Sequence, residues 1–260
     1  MTKADIVQLQ ENGEPKYVAT HANAVEGLSD FIQKDYESEG SELKVYVSEG
    51  RGDNSLAEGT QNRPFRTIQA AIDSLPMVSS TKYYIYVEPG VYLENVNILG
   101  IKSARLEIVS TKHETESAKE NGTSVLVRSL RFEDCAMYCG VRGITQTDVQ
   151  NAVNNSFISF GRVSYGAIDN CRAVINTKSI EDFSAMYYNG SIGAIYNSII
   201  SNQNTAIRSD YCSSVRCTSG IIGTGNNVVW SSRASIIFRT GENITGSLAE
   251  QKEQGGQIFS

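Results

Sequence analysis

A short repeated motif in the second half of the chain constrains the fold more than any other feature of the sequence. The pattern Gly-Ala-Ile-x-Asn-small occurs at residues 166–171 and again, 27 residues later, at residues 193–198. A looser copy follows 22 residues further on, at residues 215–220, and apolar residues in matching register come after each copy. A repeat of this length, with three short strands per unit, is typical of a β-solenoid, in which each coil stacks on the previous one.

The distribution of charged and polar residues also favours stacked strands. Residues 131–246 contain eight acidic residues and a single lysine, Lys178, whereas surface helices are rich in Glu and Lys. Eleven asparagines lie between residues 151 and 227, and stacked asparagines can bond to the same residue one coil away. The alternative is an antiparallel β-sandwich with Asn-rich turns, but the strands that follow the helix predicted at 64–75 lack the turn sequences of hairpins. The sequence therefore predicts an all-β solenoid.

The first 37 residues predict a separate N-terminal arm. An apolar run at 6–9, a turn at 11–15 and Tyr17-Val18 are consistent with a small hairpin. A helix of about four turns is expected to follow, and it could pack on its own domain or form a short dimeric or trimeric coiled coil. The candidate anchor and oligomerisation residues are the N-cap Thr20, its neighbour His21, and an apolar stripe of Ala24, Val25, Leu28, Phe31 and Ile32.

Composition and periodicity divide the rest of the chain into three parts. We expect an acidic linker at 38–42, a solenoid domain at 43–246 and a polar C-terminal tail at 247–260. A capping helix is predicted at 64–75, because Pro64 suits the first helical position and Pro76 ends the pattern. Its apolar residues recur at helical spacing on one face, so this helix is expected to lie on a core.

A glycine loop, an amphipathic helix and a strand follow one another between residues 43 and 110. The segments are Gly50-x-Gly52-Asp53, residues 63–73, residues 84–92 and Glu94-Asn95-Val96. Together they resemble the opening of a pectin-lyase-like, single-stranded right-handed parallel β-helix. The resemblance implies that the helix caps the open end of the solenoid. That fold hosts lyases, hydrolases and inert binding fibres, so it does not by itself define an activity.

The N-terminal arm carries a second resemblance. Residues 6–13, Lys16-Tyr17 and the pattern Thr-His-Ala-x-Ala-Val-x-Gly at 20–27 are similar to the N-terminal anchor of bacteriophage fibre and baseplate receptor-binding proteins. The resemblance implies a homotrimer that attaches to other virion proteins through residues 1–37. It also implies a host cell-wall polysaccharide or teichoic acid as partner. No secretory signal is visible at the start, so we expect synthesis in the host cytoplasm and a location in the virion.

Two further functions compete with a binding fibre on tail or capsid. One is a polysaccharide lyase or hydrolase, which needs carboxylates arranged for acid–base chemistry. The sequence favours solvated turn acids over an active site, because adjacent acids on a strand point to opposite faces. The other is a capsid-decorating head fibre without a host-binding role. If the chain is an enzyme, the candidate catalytic residues are Asp169, Glu181, Asp182 and Asp210.

Aromatic residues suggest a glycan-binding face on the solenoid. Aromatic rings among Asn and Ser suit sugar stacking, although trimer packing or ordinary surface aromatics are the more common explanation. No metal or cofactor is expected, and the net charge of −6 argues against nucleic acid. No apolar run is long enough for a membrane helix. The candidate glycan-binding residues are Tyr165, Tyr187, Tyr188, Tyr196, Tyr211 and Trp230.

Overall fold

The computed structural model of the protein describes residues 9–11, 14–16, 41–120, 122–218 and 220–260. The chain divides into two compact units, Met1–Ser41 and Glu42–Ser260. In the first unit, β1 (Leu9–Glu11) and β2 (Glu14–Lys16) form an antiparallel hairpin, with Gln10 opposite Pro15. The predicted helix and the anchor residues from Thr20 to Ile32 lie outside the described residues.

Parallel strands build the second unit, in which the described residues form two large sheets. Sheet I has nine strands: β3 (Glu42–Val47), β4 (Lys82–Val87), β6 (Arg105–Ser110), β8 (Tyr138–Arg142), β11 (Tyr165–Asp169), β14 (Ile192–Tyr196), β17 (Ser214–Cys217), β19 (Ile236–Arg239) and β21 (Gln257–Phe259). Sheet II has ten strands: β5 (Gly90–Leu99), β7 (Val125–Glu133), β9 (Ile144–Gln146), β10 (Ser156–Gly161), β12 (Arg172–Ala173), β13 (Ser184–Asn189), β15 (Ile199–Ile200), β16 (Thr205–Asp210), β18 (Ile222–Arg233) and β20 (Asn243–Glu253).

Sheet II consists of two rows of strands that lie side by side. The first part of β7 pairs with β9, whereas its last part, Leu130–Glu133, pairs with β10. Long β18 divides in the same way, since Ile222 pairs with β15 and residues 228–233 pair with β16. From β5 onward, each circuit of the chain thus passes once through sheet I and once through both rows of sheet II, with β5, β7, β18 and β20 each spanning both rows. This all-β parallel architecture is compatible with the predicted solenoid of three strands per coil.

The register of sheet I follows the repeated sequence motif. Gly166 lies opposite Gly193, and Gly193 lies opposite Val215 in the next strand. The motif keeps glycine at 193 because a Cβ atom there would overlap the carbonyl oxygen of Gly166 and the ring of Tyr188. That ring belongs to a buried aromatic stack in which the Phe132, Phe160 and Tyr188 ring centres are 5.0 and 5.2 Å apart. The repeat therefore encodes both strand pairing and space for the interior rings.

Buried polar side chains connect the coils at the turns. The Asn226 side chain donates to the carbonyl oxygens of Ile200 and Thr245, at 3.1 and 3.0 Å. Its own oxygen accepts from the backbone N–H of Gln203. The expected contact between identical asparagines of neighbouring coils is thus replaced here by contacts to backbone groups. These bonds satisfy polar groups that the solvent does not reach.

The capping helix is shorter than the sequence predicts. Helix α1 spans Ile68–Asp73 and is capped by Thr67, whose side chain accepts from the Ala70 N–H. Residues before it are extended, because Phe65 forms a bridge to Val47 at the edge of β3. Two single-turn 3₁₀ helices, Val149–Asn151 and Val153–Asn155, are the other short helices of the described region. The predicted start at Pro64 is therefore wrong, since this edge pairing competes with the helix.

The predicted polar tail at 247–260 is also wrong. Strand β20 continues to Glu253 beside β18, and β21 at Gln257–Phe259 pairs with β19. Its polar composition reflects exposure, because most side chains of β20 face solvent. The parallel sheets thus extend past the expected boundary at 246. No helix among the described residues is long and apolar enough to cross a membrane.

Candidate functional site

Three columns of side chains run up the outer face of sheet I, because alternate residues of each strand point outward. The strand register places Tyr138 beside Tyr165, and Asp169 beside Tyr196. Between these two columns lies a column of small residues. The first column contains Arg105, Tyr138 and Tyr165, and the third contains Arg142, Asp169 and Tyr196. The middle column begins at Glu107 and continues through the small residues Gly140, Ala167 and Ala194.

Three tyrosines on this face form a surface that we call the tyrosine platform: Tyr138, Tyr165 and Tyr196. The rings of Tyr138 and Tyr165 are stacked, with centres 5.6 Å apart. The Tyr165 side chain also lies close to that of Tyr196, which brings the two outer columns together. A Cβ atom on Gly140 would lie 3.1 Å from Cε1 of Tyr138, so the small middle column gives the rings room to lie close to the sheet.

A buried carboxylate orders the charged groups beside the platform. The side chain of Glu107 is 2% exposed and contacts Arg105 at 2.7 Å and Arg142 at 2.9 Å. The Arg105 guanidinium also lies 4.2 Å from the centre of the Tyr138 ring, a cation–π contact. Burial opposes the charge of Arg142, but Glu107, Tyr138 and Asp169 together outweigh burial and raise the pKa of Arg142. The buried carboxylate therefore holds both guanidinium groups in place, one on each side.

The hydroxyls of Tyr138 and Tyr165 remain neutral at physiological pH. Burial raises the pKa of Tyr165 to about 12, with a further contribution from the nearby Tyr196. Burial likewise raises the pKa of Tyr138. Neutral hydroxyls can both donate and accept hydrogen bonds. The platform thus offers aromatic faces together with hydrogen-bonding edges.

Two shallow hollows adjoin the platform. The larger, of about 290 Å³, has Tyr138 and Tyr196 among its walls and Ala167 in its floor. Asp169 lies in it and accepts a hydrogen bond of 3.0 Å from Asn197. The smaller, of about 190 Å³, is lined by Tyr84, Tyr86, Arg105, Glu107, Val109, His113 and Arg142. Arg142 borders both hollows, so they are neighbours along the stacked strands, and we call the two together the strip.

The six predicted glycan-binding residues do not share a face. Tyr165 and Tyr196 lie on the platform, Tyr187 is half-buried on sheet II, and Tyr211 is exposed in the turn after β16. Tyr188 and Trp230 are 0% and 1% exposed, so their predicted place on an outer face is wrong. Tyr187 and Tyr188 are adjacent on one strand, and only one of them can face outward. The Tyr188 hydroxyl instead donates to the carbonyl oxygens of Gly166 and Ala194.

Sequence reasoning missed Tyr138, Arg105 and Arg142. A signal was present, because Tyr138 precedes Tyr165 by one repeat of 27 residues. The segment 138–142 is thus a degenerate earlier copy of the repeat, with Gly140 opposite Ala167. Arg105 lies one coil further back, where the sequence no longer resembles the motif.

The four candidate catalytic carboxylates are not gathered in one site. Asp169 lies on sheet I, whereas Asp210 ends β16 in sheet II and is fully buried. Arg208 contacts Asp210 at 2.9 Å and exposed Asp182 at 3.9 Å. Glu181 lies exposed in the turn before β13. Within the described part of the chain, no cluster of three or more His, Cys, Asp or Glu side chains could hold a metal ion.

Comparisons of the chain with models of known protein families, with curated proteins and with solved structures give no match. The function is therefore inferred from the geometry of the described residues and from the sequence patterns.

Proposed function

We propose that this protein is a phage virion appendage, a homotrimeric fibre that attaches through residues 1–37 and recognises a host cell-surface glycan. Its body would be a right-handed, pectin-lyase-like parallel β-helix. The parallel sheets and the three strand rows per coil support this body. The sequence similarity of residues 6–27 to phage fibre anchors supports the attachment. The tyrosine platform is the single observation that carries the recognition role.

The platform suits a carbohydrate for two physical reasons. Sugar rings have apolar faces that stack on aromatic rings, and stacked Tyr138 and Tyr165 offer such faces near the surface. Sugar hydroxyls need paired donors and acceptors, which Arg142, Asp169 and Asn197 supply around the adjoining hollow. Because Arg142 borders both hollows, the strip suits several residues of a polymer rather than one isolated sugar.

The proposal predicts that removing the platform rings weakens glycan binding. The double variant Tyr138→Ala/Tyr165→Ala should weaken binding to immobilised bacterial surface polysaccharides by more than about tenfold, since it removes two stacking faces. Tyr211→Ala is the matched control, because Tyr211 is a surface tyrosine away from sheet I. A glycan array read with the purified wild-type and variant proteins measures the effect. Unchanged binding by the double variant would contradict the proposal.

The alternative function, a polysaccharide lyase or hydrolase, can be tested at the same hollow. Asp169 is the one candidate catalytic carboxylate that lies beside the platform. A binding fibre should release no reducing ends or unsaturated products from the polysaccharide that it binds. Product release that disappears in Asp169→Asn would instead identify a lyase or hydrolase. A protein that binds no host surface fraction at all would favour the capsid-decorating fibre.

A further inference from the structure

A second concave site lies on sheet II, on a different row of strands from the platform. Two outward columns cross β7, β10 and β13 there. In one column Arg131, Ser159 and Tyr187 are neighbours, and in the other Glu133, Gly161 and Asn189 are neighbours. The middle strand therefore carries the smallest side chains of both columns. We call the resulting depression the Ser159 slot.

The slot is one coil wide. Neighbouring strands are about 4.8 Å apart, so β7 and β13 lie about 9.6 Å from each other across β10. After the thickness of the flanking side chains is subtracted, this width suits a single six-membered ring of a ligand. The hollow has a volume of about 320 Å³, at the lower end of the range for small-molecule sites.

The two side chains that flank Ser159 bend away from it, whereas the Glu133 carboxylate lies over Gly161. Arg131 lies along its own strand and contacts the Glu133 carboxylate at 3.0 Å. Tyr187 leans to the opposite side, where its hydroxyl donates to buried Asp210 at 3.2 Å. Arg208 lies 5.4 Å from the Tyr187 ring centre, in the strand on the side away from Ser159. One face of the Tyr187 ring is therefore engaged, and the other borders the slot.

The charges around the slot cancel. Glu133 pairs with Arg131 and with Arg162, and Arg162 also pairs with Asp134 at 2.6 Å. Two guanidinium groups thus face two carboxylates, which leaves no net charge to attract an ion. Asn154 and Asn189 add amide donors and acceptors to the rim.

We infer that the Ser159 slot is a second carbohydrate subsite, which binds one uncharged sugar ring against Tyr187. The free face of Tyr187 stacks on the ring, and Glu133, Asn154 and Asn189 bond to its hydroxyls. This site is separate from the tyrosine platform and does not depend on it, because the two lie on different sheets. A chain with both sites would hold a polysaccharide at two points and gain avidity.

Three neutral oligosaccharides serve as probes: cellohexaose, maltohexaose and chitohexaose. Binding is measured by saturation-transfer NMR and calorimetry with the full chain, in the wild type and in the platform variant Tyr138→Ala/Tyr165→Ala. At least one probe should still bind the platform variant. Adding Ser159→Tyr, which fills the slot from its outward position, should weaken that binding by about tenfold or more.

Two substitutions of Tyr187 separate stacking from structural support. Tyr187→Ala should weaken binding by about tenfold, whereas Tyr187→Phe should retain it within about threefold because the ring remains. Both variants lose the hydrogen bond to Asp210, so a purely structural role would affect both equally.

The outcomes distinguish this site from the platform. Binding by the wild type that the platform variant loses completely would support the proposed function and overturn the slot. Binding that survives in the platform variant but is unchanged by Ser159→Tyr would also overturn the slot, as would the absence of binding by all three probes.

Discussion

At the scale of single residues, glycines and aromatic rings are coupled across the interior. Gly166 faces the ring of Phe160 and Gly193 faces the ring of Tyr188, so each glycine leaves space for a ring of sheet II. The same residues carry the sequence repeat. The repeat is therefore a packing requirement of the core as well as a signature of strand pairing.

Gly193→Ala is expected to destabilise the protein by about 3 kcal/mol, because the added methyl group overlaps fixed backbone and a buried ring. Gly50→Ala is the matched control, since a Cβ atom there meets nothing within 4 Å, and its effect should stay within about 0.5 kcal/mol. Urea unfolding followed by circular dichroism measures both. Equal stability of the two variants would contradict the prediction, because both the Gly166 carbonyl group and the Tyr188 ring would then have to shift without cost.

Residue positions along the strands could be predicted from the sequence, but the direction of their side chains could not. The repeat correctly aligned Asp169 with Tyr196. It did not indicate that Tyr188 and Trp230 point inward, because sheet II has no repeated motif that fixes which alternate residues face the core. Direction there depends on the aromatic stack, which is a tertiary feature.

At the scale of elements, the N-terminal N–H groups of helix α1 are bound by a strand as well as by its own N-cap, Thr67. The Glu94 carboxylate in β5 accepts from the N–H groups of Ile68 and Gln69, at 2.9 and 3.0 Å. Six residues are too few for a helix to be stable alone. The sequence showed the apolar face of this helix but not its start, because the acceptor of its first two N–H groups lies 26 residues further along the chain.

Glu94→Ala should lower the free energy of unfolding by about 1–2 kcal/mol, since two N–H groups lose their acceptor. Glu94→Gln keeps one amide oxygen and should lose about half as much. Thermal unfolding of the two variants and the wild type provides the comparison. If Glu94→Ala melts at the wild-type temperature, solvent replaces the carboxylate without cost.

At the scale of the whole molecule, the acidic residues are concentrated in the first 120 residues of the chain. Nineteen of the 29 acids precede residue 121, whereas the later coils contain few charges. The charges that the later coils keep are mostly paired, as at Glu133 and Asp210. The sequence thus predicted the class of fold from composition, but the two concave sites became visible only when strands distant in sequence were brought side by side.

The proposed fibre is expected to be a trimer in solution. Sedimentation equilibrium of the full chain should give three times the 28.4 kDa mass of one chain. Deleting residues 1–37, which carry the predicted oligomerisation stripe, should reduce the mass to that of a monomer. A full-length protein that stays monomeric at high concentration rules the trimer out.

The in-register pairing of Gly166 with Gly193 also has an evolutionary consequence. Removing residues 166–192 would join Tyr165 to Gly193, which is equivalent to Gly166, the residue that follows Tyr165 now. The joined strand would pair with β8 on one side and with β17 on the other, as β11 and β14 do now. A complete coil is therefore the natural unit of insertion and deletion, by which a lineage can lengthen or shorten this protein while leaving both ends unchanged.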